Sequence, residues 1–179
     1  MIMSTFAETI EFRKFTLEPA KGQKQLTLDQ ITKVINDNHL GVNEAIKVNA
    51  ENGKFSYTDT TTIKYASVYN DDSTIKEFDS QDLGTTIQGS TTKSDNHIRV
   101  NFKYKYSEKT KDIIYKAKGD RAILMPVFKS FKANSSVVLN QINNQWIAIA
   151  MPFPVSPDSK KQTYIALRVL NSKMQNKRK

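Results

Sequence analysis

The chain has 179 residues, contains no cysteine and carries a formal net charge of +9. The lack of cysteine excludes disulfide frameworks, thiol nucleophiles and zinc–thiolate sites. A chain of this length can bury roughly 70% of its unfolded surface, so its core needs neither a metal nor a disulfide.

Signals for targeting or membrane insertion are not evident in the sequence. No apolar run approaches the roughly 20 residues of a membrane-spanning helix. The N-terminal segment MIMSTFAETIEFRK lacks the basic start and apolar stretch of a secretory signal. We therefore expect neither a signal peptide nor a transmembrane helix in this chain, and composition leaves its compartment open.

Charge is unevenly distributed along the chain. The net charge is 0 over residues 1–50, −4 over 51–95, +7 over 96–135 and +6 over 136–179. A basic second half suits an acidic partner such as nucleic acid or an anionic surface. An acidic middle and a basic second half would equally let two copies of the chain attract each other head to tail. A solvated surface biased by composition is the third interpretation.

The first predicted strand is TIEFRKFTLE, in which the apolar pattern changes phase. Ile10 and Phe12 share one face of an extended chain, whereas Phe15 and Leu17 share the other. The phase change predicts a bulge or bend near Arg13.

The segment LTLDQITKVINDNHLG is predicted to be the one helix. Thr27 suits the N-cap position, and Gly41 is a natural stop. Apolar residues recur at helical spacing at Leu28, Ile31, Val34 and Ile35. One apolar stripe implies that this helix lies on a sheet.

The next segments predict strands and turns. AIKVNA and KFSYTD, separated by Asn52-Gly53, are typical of a hairpin with a tight turn. TTIKYASVYN continues as strand, and DDSTIKEFDSQDLG is predicted to be a polar connection or a short edge strand. LGTTIQGSTTKSDNH is expected to pair with HIRVNFKYKY across a turn at residues 94–96.

The last third of the chain is predicted to add four strands. DIIYKAKGDRAILMPVF is expected to be a loop with a short strand that ends before Pro126. FKSFKANSSVVL and NQWIAIAMPF are expected to form a hairpin around residues 140–145, and QTYIALRVL is the last strand. The predicted fold is therefore α+β, a mainly antiparallel β-sheet of hairpins with one amphipathic helix packed on it. We expect a single β-rich domain over residues 1–171 and a basic flexible tail over residues 172–179.

The segment HIRVNFKYKY has the clearest strand pattern in the chain. Its apolar and aromatic residues alternate with polar and basic ones, which predicts one buried face and one basic face. The buried face would carry Ile98, Val100, Phe102, Tyr104 and Tyr106. The exposed cations would include Arg99, Lys103 and Lys105.

Residues that could perform catalysis do not converge in the sequence. His39 and His97 each lack a second ligand at metal-binding spacing, and Asp71-Asp72 is better explained as a solvated turn. The glycines form no phosphate-binding loop. We therefore expect a protein that is not an enzyme, with no metal, cofactor or small-molecule substrate.

A nucleic-acid-binding domain, viral or plasmid-borne, is the alternative from a different class. Proteins that bind single strands combine a charged groove with aromatic stacking platforms. Within one strand, however, Tyr104 and Tyr106 face away from Lys103 and Lys105. A phage structural protein of another fold also remains open.

The order of the motifs resembles the C-terminal homology region of bacterial secretins, the ring-forming outer-membrane channels. TIEFRKFTLE is similar to the strand that opens that region, and AIKVNAENGKFSY is similar to its strand and turn. DLGTTIQGSTTKSDNHIRVNF resembles its next pair of strands, with Gly84 at the family's glycine position. ANSSVVLNQINNQWIAIAM and YIALRVL resemble the final hairpin and strand. The resemblance spans roughly residues 8–171.

The resemblance implies an oligomer in the cell envelope. It implies that the basic face of residues 97–106 lies against a neighbouring subunit or a pore lumen, with the acidic segment 71–82 as its complement. Our working hypothesis is a β-rich assembly module that oligomerises through strand edges and charge-complementary faces. Its interaction candidates are Arg99, Lys103, Lys105, Lys109, Lys111, Asp71, Asp72, Glu77 and Asp79.

Overall fold

A computed structural model of the chain describes residues 8–19, 21–22, 26–37, 44–94, 96–116, 122–140, 145–154 and 161–170. These residues form one helix, α1 (Leu28–Asn36), and a set of strands arranged in two sheets. The strands are β1 (Glu8–Leu17), β2 (Glu44–Ala50), β3 (Lys54–Tyr69), β4 (Ile75–Ser94), β5 (His97–Lys116), β6 (Ala122–Asn140), β7 (Ile147–Pro154) and β8 (Gln162–Leu170).

The first sheet has the order β2-β1-β8-β7 and the second has the order β3-β4-β5-β6. Every strand pair of the first sheet is antiparallel. This arrangement confirms the predicted α+β fold, which is mainly β. Within the described ranges, no helix combines the length and the hydropathy needed to cross a membrane.

Helix α1 begins where the sequence predicts. The Thr27 backbone N–H donates to Gln30 Oε1 at 2.9 Å, and the Gln30 backbone N–H donates to Thr27 Oγ1 at 3.3 Å, which completes a capping box. Ile31 and Ile35 are buried against Tyr164 and the rest of a cluster on the first sheet, so the helix packs on the sheet as predicted. The predicted stop at Gly41 lies outside the described residues, as do His39, the loop at 141–144 and the tail at 172–179.

Strand β1 is regular, and the predicted bulge near Arg13 is wrong. Its pairing with β8 continues without a shift from Thr9 to Leu17. The apolar residues switch from one face of β1 to the other because other side chains cover both faces of the strand. Phe12 packs on Phe102 with ring centroids 5.5 Å apart, whereas Phe15 stacks on Tyr164 in the cluster under α1.

The turn at Asn52-Gly53 is confirmed, but the hairpin is not. Both turn residues have positive φ, 51° and 72°, as a tight two-residue turn requires. Glu51 and Lys54 bridge across it through two backbone hydrogen bonds of 2.9 and 3.0 Å. Beyond this bridge β2 joins the first sheet and β3 joins the second. The turn therefore transfers the chain between sheets.

Two segments predicted as connections are strands. The polar segment at residues 75–84 is the first half of β4, a strand with neighbours on both sides, rather than a connection or an edge strand. Its side chains from 75 to 80 are all exposed, so they show no apolar alternation. Strand β6 continues through Pro126, where the prediction ended it. β6 is the last strand in the sheet order, and an edge strand tolerates a residue without a backbone N–H.

The predicted hairpin around residues 140–145 is also wrong. β6 pairs within the second sheet, whereas β7 pairs with β8 in the first. Long-range pairing of β8 with β1 creates the first sheet, and local apolar patterns carry no information on that partner. In contrast, β4 and β5 are neighbours as predicted; residue 95 of the intervening turn is outside the described residues.

The described residues group into two compact units, and the single domain over residues 1–171 stays a prediction. Unit 1 comprises residues 1–56, 88–102 and 134–179, and unit 2 comprises residues 57–87 and 103–133. Unit 1 contains the first sheet, α1 and the aromatic core around Phe12. Unit 2 is built from parts of β3, β4, β5 and β6, and its packing includes Tyr104 against Phe131 with ring centroids 6.2 Å apart.

Candidate functional site

Strand β5 presents the basic face that the sequence predicts. Ile98, Val100, Phe102 and Tyr104 are at most 3% exposed. Arg99, Lys103 and Lys105, which alternate with them, are exposed. The alternation ends after Tyr106, because Ser107 is buried and its hydroxyl lies 3.0 Å from the hydroxyl of Ser130 on β6.

The two further basic candidates lie near the end of β5. Lys109 and Lys111 are both exposed. Lys109 Nζ lies 2.7 Å from Asp112 Oδ1 and 2.8 Å from Oδ2. This pair lies within one strand and on the surface, where it contributes little stability. Lys111 is therefore the better candidate for contact with a partner.

The acidic candidates lie around the turn between β3 and β4. Asp72 has a local role: its Oδ1 accepts from the Thr74 backbone N–H at 3.0 Å and from the Thr74 hydroxyl at 2.6 Å. This bonding pattern stabilises the turn. Asp71, Glu77 and Asp79 are exposed side chains on the same turn and on β4.

Asp79 also interacts with Tyr65 across β3 and β4. The Tyr65 hydroxyl donates to Asp79 Oδ2 at 3.5 Å. Partial desolvation raises the pKa of the Tyr65 phenol, and the Asp79 carboxylate raises it further, because phenolate formation beside a carboxylate is unfavourable.

The structure brings almost all candidate residues together in unit 2. Only Arg99 lies in unit 1. Within unit 2, residues 57–87 carry six acidic and two basic side chains, a net charge of −4. Residues 103–133 carry nine basic and three acidic side chains, a net charge of +6. We call these two parts the acidic half, from β3 and β4, and the basic half, from β5 and β6.

Sequence reasoning missed a buried charge cluster in unit 1. The Glu11 side chain is 2% exposed and pairs with two arginines. Arg13 Nε and Nη2 both lie 3.0 Å from Glu11 Oε1. Arg168 Nε and Nη2 lie 2.9 and 2.7 Å from Oε2. Because Glu11 and Arg168 are 157 positions apart, no local pattern could have revealed the pair.

Both arginines of this cluster also contact Trp146. The guanidinium carbons of Arg13 and Arg168 lie 4.6 and 4.4 Å from the centroid of the indole ring, which is cation–π geometry. Asn36 holds Trp146 in place, because its amide group accepts from the Trp146 backbone N–H at 3.2 Å and donates to the Trp146 carbonyl at 3.4 Å. The cluster joins β1, β8 and the end of α1, and its one carboxylate against two guanidinium groups leaves a net charge of +1.

An open cleft of about 600 Å³ lies in unit 1. Its lining combines polar groups with the ring of Phe55, and the residues are Asn49, Glu51, Lys54, Phe55, Ser56, Gln88 and Gly89. Glu51 and Lys54 flank the tight turn, where their backbones pair with each other. Among the described residues, no group of three or more His, Asp or Glu side chains is placed to hold a metal ion.

Comparison with known proteins adds no relative to this description. The chain has no significant match among protein-family models, curated proteins or solved structures.

Proposed function

We propose that this chain is a non-enzymatic β-rich assembly module whose copies associate head to tail through unit 2. The acidic half of one copy contacts the basic half of the next. One observation carries this proposal, the division of charge within unit 2 into a half of net −4 and a half of net +6. Opposite potentials on two parts of one surface attract a second copy and set its orientation.

The sheet order supports the same arrangement. In the order β3-β4-β5-β6, β3 is the outer strand of the acidic half and β6 is the outer strand of the basic half. Each has one neighbouring strand within the described residues. An unpaired strand edge is a template for pairing with another chain. A contact between two different surfaces of identical copies is heterologous, and it closes into a ring or extends as a filament.

The ring-forming secretins, which the motif order resembles, would correspond to the closed form of such an assembly. This resemblance stays a prediction. The charge division and the strand edges support self-assembly without it.

The alternative, a nucleic-acid-binding domain, receives less support from the same strand. Arg99, Lys103 and Lys105 are exposed, but Tyr104 is 3% exposed. A stacking platform needs an exposed ring beside the cations. Tyr104 therefore cannot serve as a stacking platform for these cations.

Charge reversal tests the proposal. We would replace Asp71 and Glu77 with lysine in one variant, and Lys105 and Lys111 with glutamate in another. Asp72 and Lys109 are left unchanged because they bond within the chain. Each variant is expected to associate at least tenfold more weakly than the unmodified chain in sedimentation velocity. An equimolar mixture should recover association as a dimer, because the unchanged basic half of the first variant meets the unchanged acidic half of the second.

The control variant reverses Lys33 and Lys47, which are exposed cations of unit 1. It should associate like the unmodified chain and have the same melting temperature. Association that is insensitive to the two unit 2 variants, or equally sensitive to the control, would contradict the proposal. A titration with single- and double-stranded DNA at low salt separates the alternative, because contact with several phosphates makes affinity fall steeply with added salt.

A further inference from the structure

Most of the large apolar side chains that are exposed among the described residues lie in unit 2. Among the described residues, eight large hydrophobic side chains are exposed, and six of them lie in unit 2. The six are Val68, Ile75, Phe78, Ile113, Ile114 and Leu124, with exposed fractions of 37%, 48%, 66%, 48%, 64% and 58%. Single exposed apolar residues are common on monomers, whereas a concentration of them marks an interaction surface.

These six side chains are divided equally between the two charged halves. Val68, Ile75 and Phe78 lie on β3 and β4 in the acidic half. Ile113, Ile114 and Leu124 lie on β5 and β6 in the basic half. Each half therefore combines one sign of net charge with exposed apolar groups.

Two cross-strand contacts indicate the register of β5 and β6 in the basic half. Ser107 lies opposite Ser130, and the Thr110 hydroxyl donates to the Val127 carbonyl at 3.0 Å. The same antiparallel register, continued by three residues along each strand, places Ile113 opposite Leu124. Their exposed side chains form a pair on adjacent strands.

Phe78 is the most exposed apolar group and belongs to the acidic half, of net charge −4, with a carboxylate before and after it along β4. Glu77 precedes it, Asp79 follows it, and both are exposed. A lipid surface with anionic headgroups would repel this arrangement, since it attracts apolar groups flanked by cations. An apolar surface flanked by cations is the better complement, and the chain carries one at Ile113 and Leu124, close to Lys109 and Lys111.

We propose that Phe78 of one copy packs against Ile113 and Leu124 of a second copy of this chain. This inference rests on the proposed function, and it names the apolar contact at the centre of the charged one. The charges orient the copies, and the burial of Phe78, Ile113 and Leu124 supplies the attraction that salt does not screen. Each copy then carries both the Phe78 surface and the Ile113–Leu124 surface. An open assembly therefore ends in one free surface of each kind, to which a further copy can bind.

Cysteine cross-linking tests this contact directly, because the chain has no native cysteine. We would prepare Phe78→Cys and Leu124→Cys separately, one with a longer affinity tag, mix them and oxidise with copper phenanthroline. The mixed disulfide should form at least ten times faster than the mixed disulfide between Phe78→Cys and Val138→Cys. Val138 is a matched control because it is a β6 side chain that is 50% exposed but belongs to unit 1.

Three outcomes overturn the inference. The first is an equal rate with the Val138 control, and the second is a dominant Phe78→Cys homodimer, which would indicate a two-fold contact. The third is a monomeric unmodified chain in sedimentation, which overturns the proposed function as well. An oligomer with equal cross-linking rates overturns the apolar contact alone, so the two failures are distinguishable. A Phe78→Ser variant should retain the melting temperature of the unmodified chain and associate at least tenfold more weakly.

Discussion

Tyr65 and Phe128 lie on strands at opposite edges of the second sheet, yet their ring centroids are 5.1 Å apart. Neighbouring strands are about 4.8 Å apart, so a flat four-stranded sheet would separate the two outer backbones by roughly 14 Å. The contact therefore indicates that the part of the sheet within unit 2 curls, and that the two rings meet across its inner side.

This ring contact should contribute to the stability of unit 2. Replacing Phe128 with alanine removes a half-buried ring and should lower the free energy of unfolding by about 1–2 kcal/mol. Denaturant titration of Tyr65→Ala, Phe128→Ala and the double variant would measure their coupling. If the two losses simply add, the rings do not stabilise each other and the curled sheet is held by other contacts.

Alkaline pH should destabilise the protein through two tyrosines. Burial raises the pKa of the Tyr164 phenol, although a hydrogen bond with the Leu26 backbone lowers it in part, and the pKa of Tyr65 is raised as described above. A raised pKa means that the folded state holds the phenolic proton more tightly than the unfolded state does. The stability that the two raised pKa values contribute is fully present below the unfolded pKa of about 10. It is lost as the pH rises through the pKa values of the folded state. The melting temperature should therefore fall above about pH 10.

The contribution of Asp79 to the raised pKa of Tyr65 can be measured separately. Asp79→Asn removes the carboxylate charge and should lower the pKa of Tyr65 toward its ordinary value. Glu77→Gln, two residues earlier on β4, should leave it unchanged. Titration of the tyrosine ring carbons by NMR resolves each phenol; equal effects of the two variants would show that the shift does not depend on the Asp79 contact.

Gly84 should tolerate no side chain. Its φ is +119°, and a Cβ at this position would collide with the carbonyl oxygen of Asp59 on the neighbouring strand. Gly84→Ala should cost about 3 kcal/mol or more, because backbone strain and overpacking add. Gly22→Ala is a matched control, since Gly22 also has a positive φ, +93°, but nothing within 4 Å. It should cost about 1 kcal/mol. Similar losses for both variants would show that β4 shifts to make room.

The Glu11 cluster should be a major source of stability in unit 1. Glu11→Gln leaves two arginines without their shared counter-charge at a site that is nearly closed to water. Removing one partner of a buried ion pair costs up to 3–5 kcal/mol, and the partial exposure of the arginines reduces our expectation to about 3 kcal/mol. Fluorescence of Trp146, the only tryptophan, should change in the folded state.

The matched control for this cluster is Glu8→Gln. Glu8 pairs with Lys93, whose side chain is 52% exposed, so the pair is screened by water. Its loss should cost less than about 1 kcal/mol. If Glu11→Gln and Glu8→Gln have the same free energy of unfolding, the ion pairs of Glu11 only offset the cost of burying their charges.

Local signals predicted the elements whose pattern depends on nearby residues. The Thr27–Gln30 capping box, the Asn52-Gly53 turn and the alternation around Phe102 each lie within a few positions of sequence, and each is present. The division of charge within unit 2 could also be read from the sequence, because hairpin partners are close along the chain.

Pairing between distant segments could not be predicted in this way. The two apolar faces of β1 suggested a bulge because the partners that cover each face, Phe102 and Tyr164, lie far along the chain. The exposed residues from Ile75 to Ser80 suggested a connection, since a strand without a buried face shows no alternation. Phe78 was missed as a candidate for the same reason.

Sedimentation equilibrium of the unmodified chain tests self-assembly most directly. We predict a mass that is a multiple of the 20.4 kDa chain, that increases with protein concentration and that decreases as added salt screens the charged part of the contact. A mass of 20.4 kDa at every concentration and at both low and moderate salt would contradict it.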